Sequence, residues 1–380
     1  MEGIAPFHVM ELMAKAQALE AQGRDIVHME VGEPDFPTPQ PIIDAAQRFL
    51  AGGHVHYTHA LGIPALREAI AGFYAERYGV AVDPARIVVT AGASGALMLA
   101  LGALTSPGEE WLLSDPGYPC NRHFVRFCEG VPRPLAVDAA TNFQPTVEIV
   151  QSAWTMKTRG LLVASPANPT GTLIEPAELA QLWQAVRMRG GALIVDEIYH
   201  GLTYGFAARS ALEISDEIIV INSFSKYFGM TGWRLGWLVV PPGLVRDIEK
   251  LAQNLYIAPS TPAQHAALAA FTPESIGILE ARRNEFRKRR DLLLPGLRAL
   301  GFRIDAEPRG AFYIYADIGG LAGDSFALAA QLIEQAGVAA TPGLDFGINA
   351  PQQYMRFAYT VAEEKLAEGL ARMGRHFGGA

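Results

Sequence analysis

Short apolar runs alternate with longer amphipathic runs through most of this chain, and that alternation restricts its fold more than any other feature. Apolar runs lie at 86–90, 111–114, 160–165, 192–196, 217–222 and 235–240. They are rich in Val, Ile and Leu and lack period-2 alternation, which is how strands covered on both faces read. Amphipathic stretches with helical spacing lie at 63–78, 94–104, 175–189 and 244–253. Strand–helix–strand alternation of this kind predicts an α/β fold: a mostly parallel sheet with helices on both faces.

The pattern changes near residue 272. A long basic helix is predicted over 273–300, followed by short strands at 302–305, 312–315, 338–341 and 355–359. Helices are predicted at 325–336 and after 363. The first forty residues hold a helix at 9–22, a strand at 26–31 and a turn-rich run from Gly32 to Pro39. The predicted organisation is a large α/β domain over 41–272 and a smaller α+β domain built from 1–40 together with 273–380, the joining of the two ends resting partly on the resemblance described below.

Charge and composition exclude several classes. Half the chain is hydrophobic and 18% is charged, which is incompatible with intrinsic disorder. The formal net charge of −8 argues against general nucleic-acid binding, because duplex affinity comes from cations meeting phosphates. No apolar run reaches the roughly 18 residues of a membrane span. The start, Met1-Glu2-Gly3-Ile4-Ala5-Pro6, lacks the basic and apolar character of a signal peptide. A cytoplasmic location is therefore expected, with Cys120 and Cys128 reduced and partly buried. His54, His56 and His59 have no carboxylate or cysteine close in sequence to complete a zinc site, so no metal is expected. No GxGxxG follows a strand, and no GxxxxGK[ST] is present. The basic run Arg282, Arg283, Arg287, Lys288, Arg289 and Arg290 alternates with Glu280, Glu285 and Asp291, and is expected to form a solvated, salt-bridged face.

The chemistry concentrates in the segment from Ser223 to Gly236, which follows a predicted buried strand. Lys226 sits there among Ser, Gly and Thr, where a surface lysine is out of place. Ligands of open α/β sheets bind at the carboxyl ends of strands. A lysine desolvated there can capture an aldehyde as a Schiff base. Arg234 and the serine hydroxyls offer donors suited to a phosphate. Other strand ends deliver Asp196 and Tyr199, and Asn168 within Asn168-Pro169-Thr170-Gly171. The turn Thr90-Ala91-Gly92-Ala93-Ser94 opens a helix, whose free N–H groups form an anion site.

These motifs, in this order, resemble the pyridoxal 5′-phosphate (PLP) aminotransferases of fold type I, specifically the class I/II group that includes aspartate aminotransferases. The resemblance runs from Val31-Gly32-Glu33-Pro34-Asp35-Phe36, through His56-Tyr57-Thr58 and Asp115-Pro116-Gly117-Tyr118-Pro119, to Met355-Arg356-Phe357. It implies a seven-stranded type of sheet in the large domain. It also implies roles. Lys226 is similar to the lysine that holds the cofactor as an internal aldimine and then shuttles the substrate proton. Asp196 resembles the partner of the pyridine nitrogen. Tyr199 and Asn168 resemble the donors to the cofactor 3′-oxygen, and Asn168 also counts among substrate contacts. Ser223, Arg234 and the N–H groups of Ala93 and Ser94 resemble the phosphate ligands. Tyr118 resembles the ring-stacking aromatic. Tyr57 resembles the tyrosine that reaches the neighbouring subunit's cofactor, which implies a homodimer with composite sites. Arg356 resembles the grip on the substrate α-carboxylate, which the backbone of Gly32 would also approach.

The implied activity is ping-pong transamination between an L-amino acid and a 2-oxo acid, with glutamate and 2-oxoglutarate expected as one pair. A PLP-dependent carbon–sulfur β-lyase is the alternative. A DNA-binding regulator of this fold is not expected, because the family-like core begins within the first thirty or so residues. For the substrate side chain, Arg122 and Arg126 are candidate cations for a distal carboxylate, though a solvated helix position is the favoured reading of both. His8, Phe7 and Tyr256 are candidates for lining a less polar pocket.

Overall fold

The computed structural model describes residues 8–378. Phe7 and the outermost ends of the predicted small domain, 1–7 and 379–380, lie outside the described residues. The strands in chain order are β1 (Val27–His28), β2 (Ile87–Thr90), β3 (Glu110–Asp115), β4 (Val131–Ala136), β5 (Thr158–Ala164), β6 (Ala192–Asp196), β7 (Ile219–Ser223), β8 (Gly236–Val239), β9 (Tyr313–Asp317), β10 (Val338–Ala339), β11 (Thr341–Pro342) and β12 (Tyr354–Ala358). The α-helices are α1 (His8–Glu20), α2 (Gln40–Ala51), α3 (Pro64–Tyr78), α4 (Gly92–Leu104), α5 (Pro119–Phe127), α6 (Val147–Ala153), α7 (Pro176–Arg187), α8 (Val245–Leu255), α9 (Thr261–Ala267), α10 (Pro273–Ala299), α11 (Ser325–Gln331) and α12 (Glu363–Gly378).

A seven-stranded sheet, ordered β2-β8-β7-β6-β5-β3-β4, forms the centre of the molecule. Its pairs from β7 to β4 are parallel, whereas β8 runs antiparallel to both neighbours. The apolar strands are buried because helices cover both faces. One face packs Leu97, Leu101, Ile248 and Ala252 against Ile194 and Ile221; the other packs Leu182, Val186 and Trp183 against Leu161 and Leu193. The reversal of β8 matters for the site. Its first residue, Gly236, lies opposite both Thr90 and Ser223, so it enters the sheet at the end where β2 and β7 leave it. A Cβ on Gly236 would stand 2.7 Å from the Gly92 carbonyl carbon and 2.9 Å from the Ala93 nitrogen, so only glycine permits this approach.

Several predicted elements differ from the structure, each for a physical reason. β4 was not anticipated: Pro132 and Pro134 cannot donate to a ladder, and such a strand is tolerated only at a sheet edge, where β4 lies. The expected strand 302–305 is reduced to one bridge between Arg303 and Asp317. The expected strand 338–341 splits, because β10 pairs with β1 while β11 pairs with β12. The expected strand 26–31 forms regular pairing only at β1. Beyond it the carbonyls of Glu30 and Gly32 turn to accept bonds from Arg356 and Lys226. In α10 the basic face is not uniformly solvated. Arg289 is buried, donates to Asp35 Oδ1 and Thr360 O at 2.8 Å each, and lies 4.8 Å from the Phe36 ring centroid. The turn following Gly32 is thereby pinned to this helix.

Candidate active site

The carboxyl ends of the parallel strands open into a cavity of about 390 Å³. β6 delivers Asp196, β7 runs into Ser223 and Lys226, and the loop after β5 delivers Asn168. β3 leads to Tyr118, and β2 leads to the first turn of α4 with Ala93 and Ser94. Gly32 and Arg356 face the cavity from the segment after β1 and from β12. Residues far apart in sequence converge because β2, β3, β5, β6 and β7 end at one edge of the large sheet, while Gly32 and Arg356 reach the cavity from outside that sheet.

At one end of the cavity an anion cradle is built into the backbone. The residue preceding α4, Ala91, makes no side-chain cap, so the helix dipole and first-turn N–H groups are available to a ligand. Gly92 adopts φ +71°, and a Cβ there would lie 2.7 Å from Arg234 Nη2. The guanidinium is thus held against the helix start, with its Nη1 donating to Thr231 O at 3.0 Å. Ser223 Oγ accepts from Ser225 N and donates to Ser225 Oγ, both at 3.0 Å.

In the middle stand a buried amine and a buried carboxyl. Lys226 Nζ donates to Gly32 O at 2.7 Å. Burial pulls its pKa down to about 8, helped by Arg356 and Arg234 and opposed by Glu33 and Asp196. Burial likewise pushes Asp196 up to about 7; the Ile198 N–H, 3.0 Å from Oδ1, and Lys226 counter it. Tyr199 OH and Tyr313 OH lie 2.9 Å apart, and burial raises the Tyr199 pKa well above that of an ordinary phenol.

At the other end, Arg356 is 3% exposed. Its guanidinium lies over the rings of Tyr313 and Phe346, 4.4 and 4.8 Å from their centroids. Nη1 donates to Asn168 Oδ1 at 3.0 Å, and Nη2 donates to Glu30 O and to Thr341 Oγ1. Nε is buried without a hydrogen-bond partner. A buried cation with an unspent donor suits an anionic ligand group.

Of the site residues expected from sequence, Gly32, Ala93, Ser94, Tyr118, Asn168, Asp196, Tyr199, Ser223, Lys226, Arg234 and Arg356 all line this one cavity. Tyr57 does not; it is 82% exposed on the loop before α3. Arg122 and Arg126 also lie elsewhere. They line a separate cavity of about 130 Å³ that shares Tyr118, Ala164 and Asn168 with the main one. Arg122 is half-buried rather than solvated, because its Nη2 donates to Asp345 O at 3.0 Å. His8 and Tyr256 do not line the main cavity: His8 bonds to Glu11, and Tyr256 packs against the core under α4. Tyr313, Phe346 and Glu33 were missed. Tyr313 and its neighbours read only as a short apolar strand, and nothing local marks which ring will lie beneath Arg356. Among the described residues, no group of three His, Cys, Asp or Glu side chains could hold a metal ion, and no helix is long and apolar enough to cross a membrane.

An anion cradle, a desolvated lysine and a buried carboxyl stand together at the strand ends of an open α/β sheet, the place where such sheets bind their ligands. Residues 24–373 match the family model for aminotransferase class I and II, and the chain belongs to that family. It is 39% identical to the valine–pyruvate aminotransferase of Mycobacterium tuberculosis, over 98% of this chain and 96% of that one. It is 36% identical to the aspartate/prephenate aminotransferase of Thermus thermophilus, over 100% and 98%. Its fold superposes on a crystal structure of an M. tuberculosis aminotransferase with a TM-score of 0.96 at 38% identity, covering 99% and 98% of the two chains. The score is 0.93 at 36% identity for T. thermophilus aspartate aminotransferase with maleate, covering 98% and 97%. The protein is an aminotransferase of a PLP-dependent family.

Proposed function

We propose that the enzyme carries PLP in this cavity and moves an amino group between an L-amino acid and a 2-oxo acid in two half-reactions. The observation that carries the reading is the buried Lys226 amine, which lines one cavity with the Arg234–α4 cradle, Asp196 and Arg356. The residues present fit the group. Arg234, Ser223 and the N–H groups of Ala93 and Ser94 would hold its phosphate, Asp196 its ring nitrogen, and Tyr199 and Asn168 its 3′-oxygen. Tyr118 would cover the ring face. Asp196 is a buried carboxyl with a raised pKa, and a protonated nitrogen is the natural partner for such a group. When bound, PLP supplies an aldehyde carbon and an electron-withdrawing ring.

Lys226 would hold the aldehyde and, once freed by substrate, carry the proton from the amino acid Cα. Its lowered pKa keeps a usable fraction of free amine near neutrality. Arg356 would orient the substrate through its α-carboxylate. In the first half-reaction the donor loses its amino group and Cα proton and gains a carbonyl oxygen from water; the second half-reaction reverses this on an oxo acid. We also propose that residues 41–272 form the cofactor-binding domain, with 1–40 and 273–380 as a second one, and that Tyr57 serves the site of a second copy. Arg356 would then sit on one domain and Lys226 on the other, so that substrate draws the cleft shut.

The test is a half-reaction. An L-amino acid added to the PLP-loaded enzyme without any oxo acid should release one 2-oxo acid per site and then stop. Continuous release of pyruvate and ammonia from cystathionine would point to a carbon–sulfur lyase instead.

Two further outcomes are expected. PLP uptake by the cofactor-free protein should rise with pH through about 8, the Lys226 pKa, because only the deprotonated amine attacks an aldehyde; a rate independent of pH from 6.5 to 9 contradicts this. Gly92→Ala should weaken PLP binding about tenfold, since a strained φ and a displaced Arg234 cost on the order of 1–3 kcal/mol; equilibrium titration monitored by cofactor absorbance measures it.

A further inference from the structure

Tyr199 OH and Tyr313 OH form a buried pair, 2.9 Å apart, with the two rings edge to face at 83°. Tyr199 follows β6, and Tyr313 opens β9. We propose that Tyr313 is a positioning residue for the reaction: its hydroxyl donates to Tyr199, turns the Tyr199 proton toward the cofactor 3′-oxygen and strengthens that bond. The inference rests on the PLP reading. It concerns two side chains of one chain in direct contact, so residues supplied by a second copy do not alter it.

A tyrosine hydroxyl has one proton to give and lone pairs with which to accept. If Tyr199 spends its proton on the 3′-oxygen, Tyr313 must be the donor within the pair. Burial raises the pKa of both phenols, so both keep their protons at neutral pH. The Tyr313 ring is held on several sides. The Arg356 guanidinium lies over it, 4.4 Å from the centroid, and Gly32 approaches so closely that a Cβ there would collide with the Tyr313 oxygen. Pairing of Tyr313 with Ala358 of β12 fixes the backbone. A buried hydroxyl costs stability unless it is hydrogen-bonded, and phenylalanine would fill the same space without that cost. Among the described residues, the hydrogen-bond partner of the Tyr313 hydroxyl is Tyr199.

The consequence is electrostatic. With PLP held on Lys226, the Lys226 nitrogen and the 3′-oxygen compete for one proton. A stronger donor at the oxygen steadies its negative charge and weakens its hold on that proton, so the nitrogen loses it at lower pH. The charged and titratable groups around the tyrosine pair and Lys226 are Glu33 after β1, Tyr118 after β3, Asp196 at the end of β6, Arg234 before β8 and Arg356 in β12. All remain in a Tyr313→Phe variant, which also keeps a ring under Arg356. A shift in that variant therefore reports the hydroxyl.

The experiment is an absorbance titration of the PLP-loaded enzyme against pH, in the parent, Tyr313→Phe, Tyr199→Phe and the double variant. Tyr313→Phe should raise the midpoint by about half a unit to one unit, a roughly three- to tenfold gain in proton affinity. In the Tyr199→Phe background the same substitution should add less than about a third of that shift, because the hydroxyl acts through Tyr199. An unmoved or lowered midpoint, or an equal shift in both backgrounds, overturns the proposal. A merely structural hydroxyl would lower the melting temperature and leave the midpoint in place. If Tyr313→Phe does not retain the cofactor, a ring-fluorinated tyrosine in place of Tyr313 serves instead. It keeps the shape and is the stronger acid and donor, so it should lower the midpoint; a rise or no change there overturns the proposal equally. Absence from the parent of any PLP absorbance that Lys226→Ala removes would strike the PLP reading on which the role of Tyr313 rests.

Discussion

Lys226→Ala should lower the transamination rate by about 10⁴-fold or more, because it removes both the aldehyde anchor and the proton carrier. The loss should appear in kcat rather than only in KM. Among the described residues the amine has no substitute in the cavity lining: the other cations there are guanidinium groups, which hold their protons throughout the working pH range. PLP should still bind, since Arg234, Ser223, Asp196 and the α4 terminus remain, but it should be removable by dialysis. Single-turnover release of oxo acid measures the rate, and absorbance after dialysis measures the anchor. Addition of a small primary amine should recover a fraction of the rate if proton transfer is what was lost. Turnover of the alanine variant near the parent rate would refute the assignment of Lys226.

Arg356→Leu should reduce kcat/KM for amino donors by about 10²–10³-fold, the cost of leaving a desolvated carboxylate without its cation. The effect should be larger than that of Arg356→Lys, because an ammonium cannot reproduce the planar fork over the Tyr313 and Phe346 rings. The variant also deprives Asn168 Oδ1 and Glu30 O of donors, so a loss of thermal stability is expected beside the kinetic effect. Donor and acceptor half-reactions distinguish the two. A substrate role predicts that both lose kcat/KM while the retained cofactor keeps its absorbance. A purely structural role would lower the melting temperature and leave the apparent affinity for donors unchanged.

Much of the sheet was legible because buried parallel strands are continuous apolar runs, and 192–196 coincides with β6 to the residue. β4 was not legible, because its two prolines are tolerated only through its edge position, and position in a sheet is not written locally. The splitting of 338–341 between two sheets has the same origin: each residue is a good strand former, and the partner decides. Within the site, Lys226, Asp196, Asn168 and Arg234 stood out as polar residues placed just beyond apolar strands or in glycine-rich turns. Tyr313 did not, since an aromatic residue in a strand is ordinarily core. Arg122 shows the converse. A cation two residues after Pro-Cys reads as solvated helix, but the Asp345 carbonyl, more than two hundred residues away in sequence, draws it into a second cavity.

The sequence by itself determined the fold class, the family motifs and the chemical identity of the groups that would hold a phosphate, an aldehyde and a carboxylate. The fold class follows from local apolar periodicity, the phosphate and aldehyde groups from residue type at the strand ends, and the carboxylate group from the resemblance to the family. The tertiary structure alone decided what surrounds those groups. The antiparallel entry of β8 sets Arg234 against the α4 terminus, the Tyr313 and Phe346 rings lie under Arg356, and the Tyr313 hydroxyl meets that of Tyr199. Each is a long-range packing outcome, and charge environment and hydrogen bonding depend on what lies within a few ångströms in space rather than a few positions along the chain.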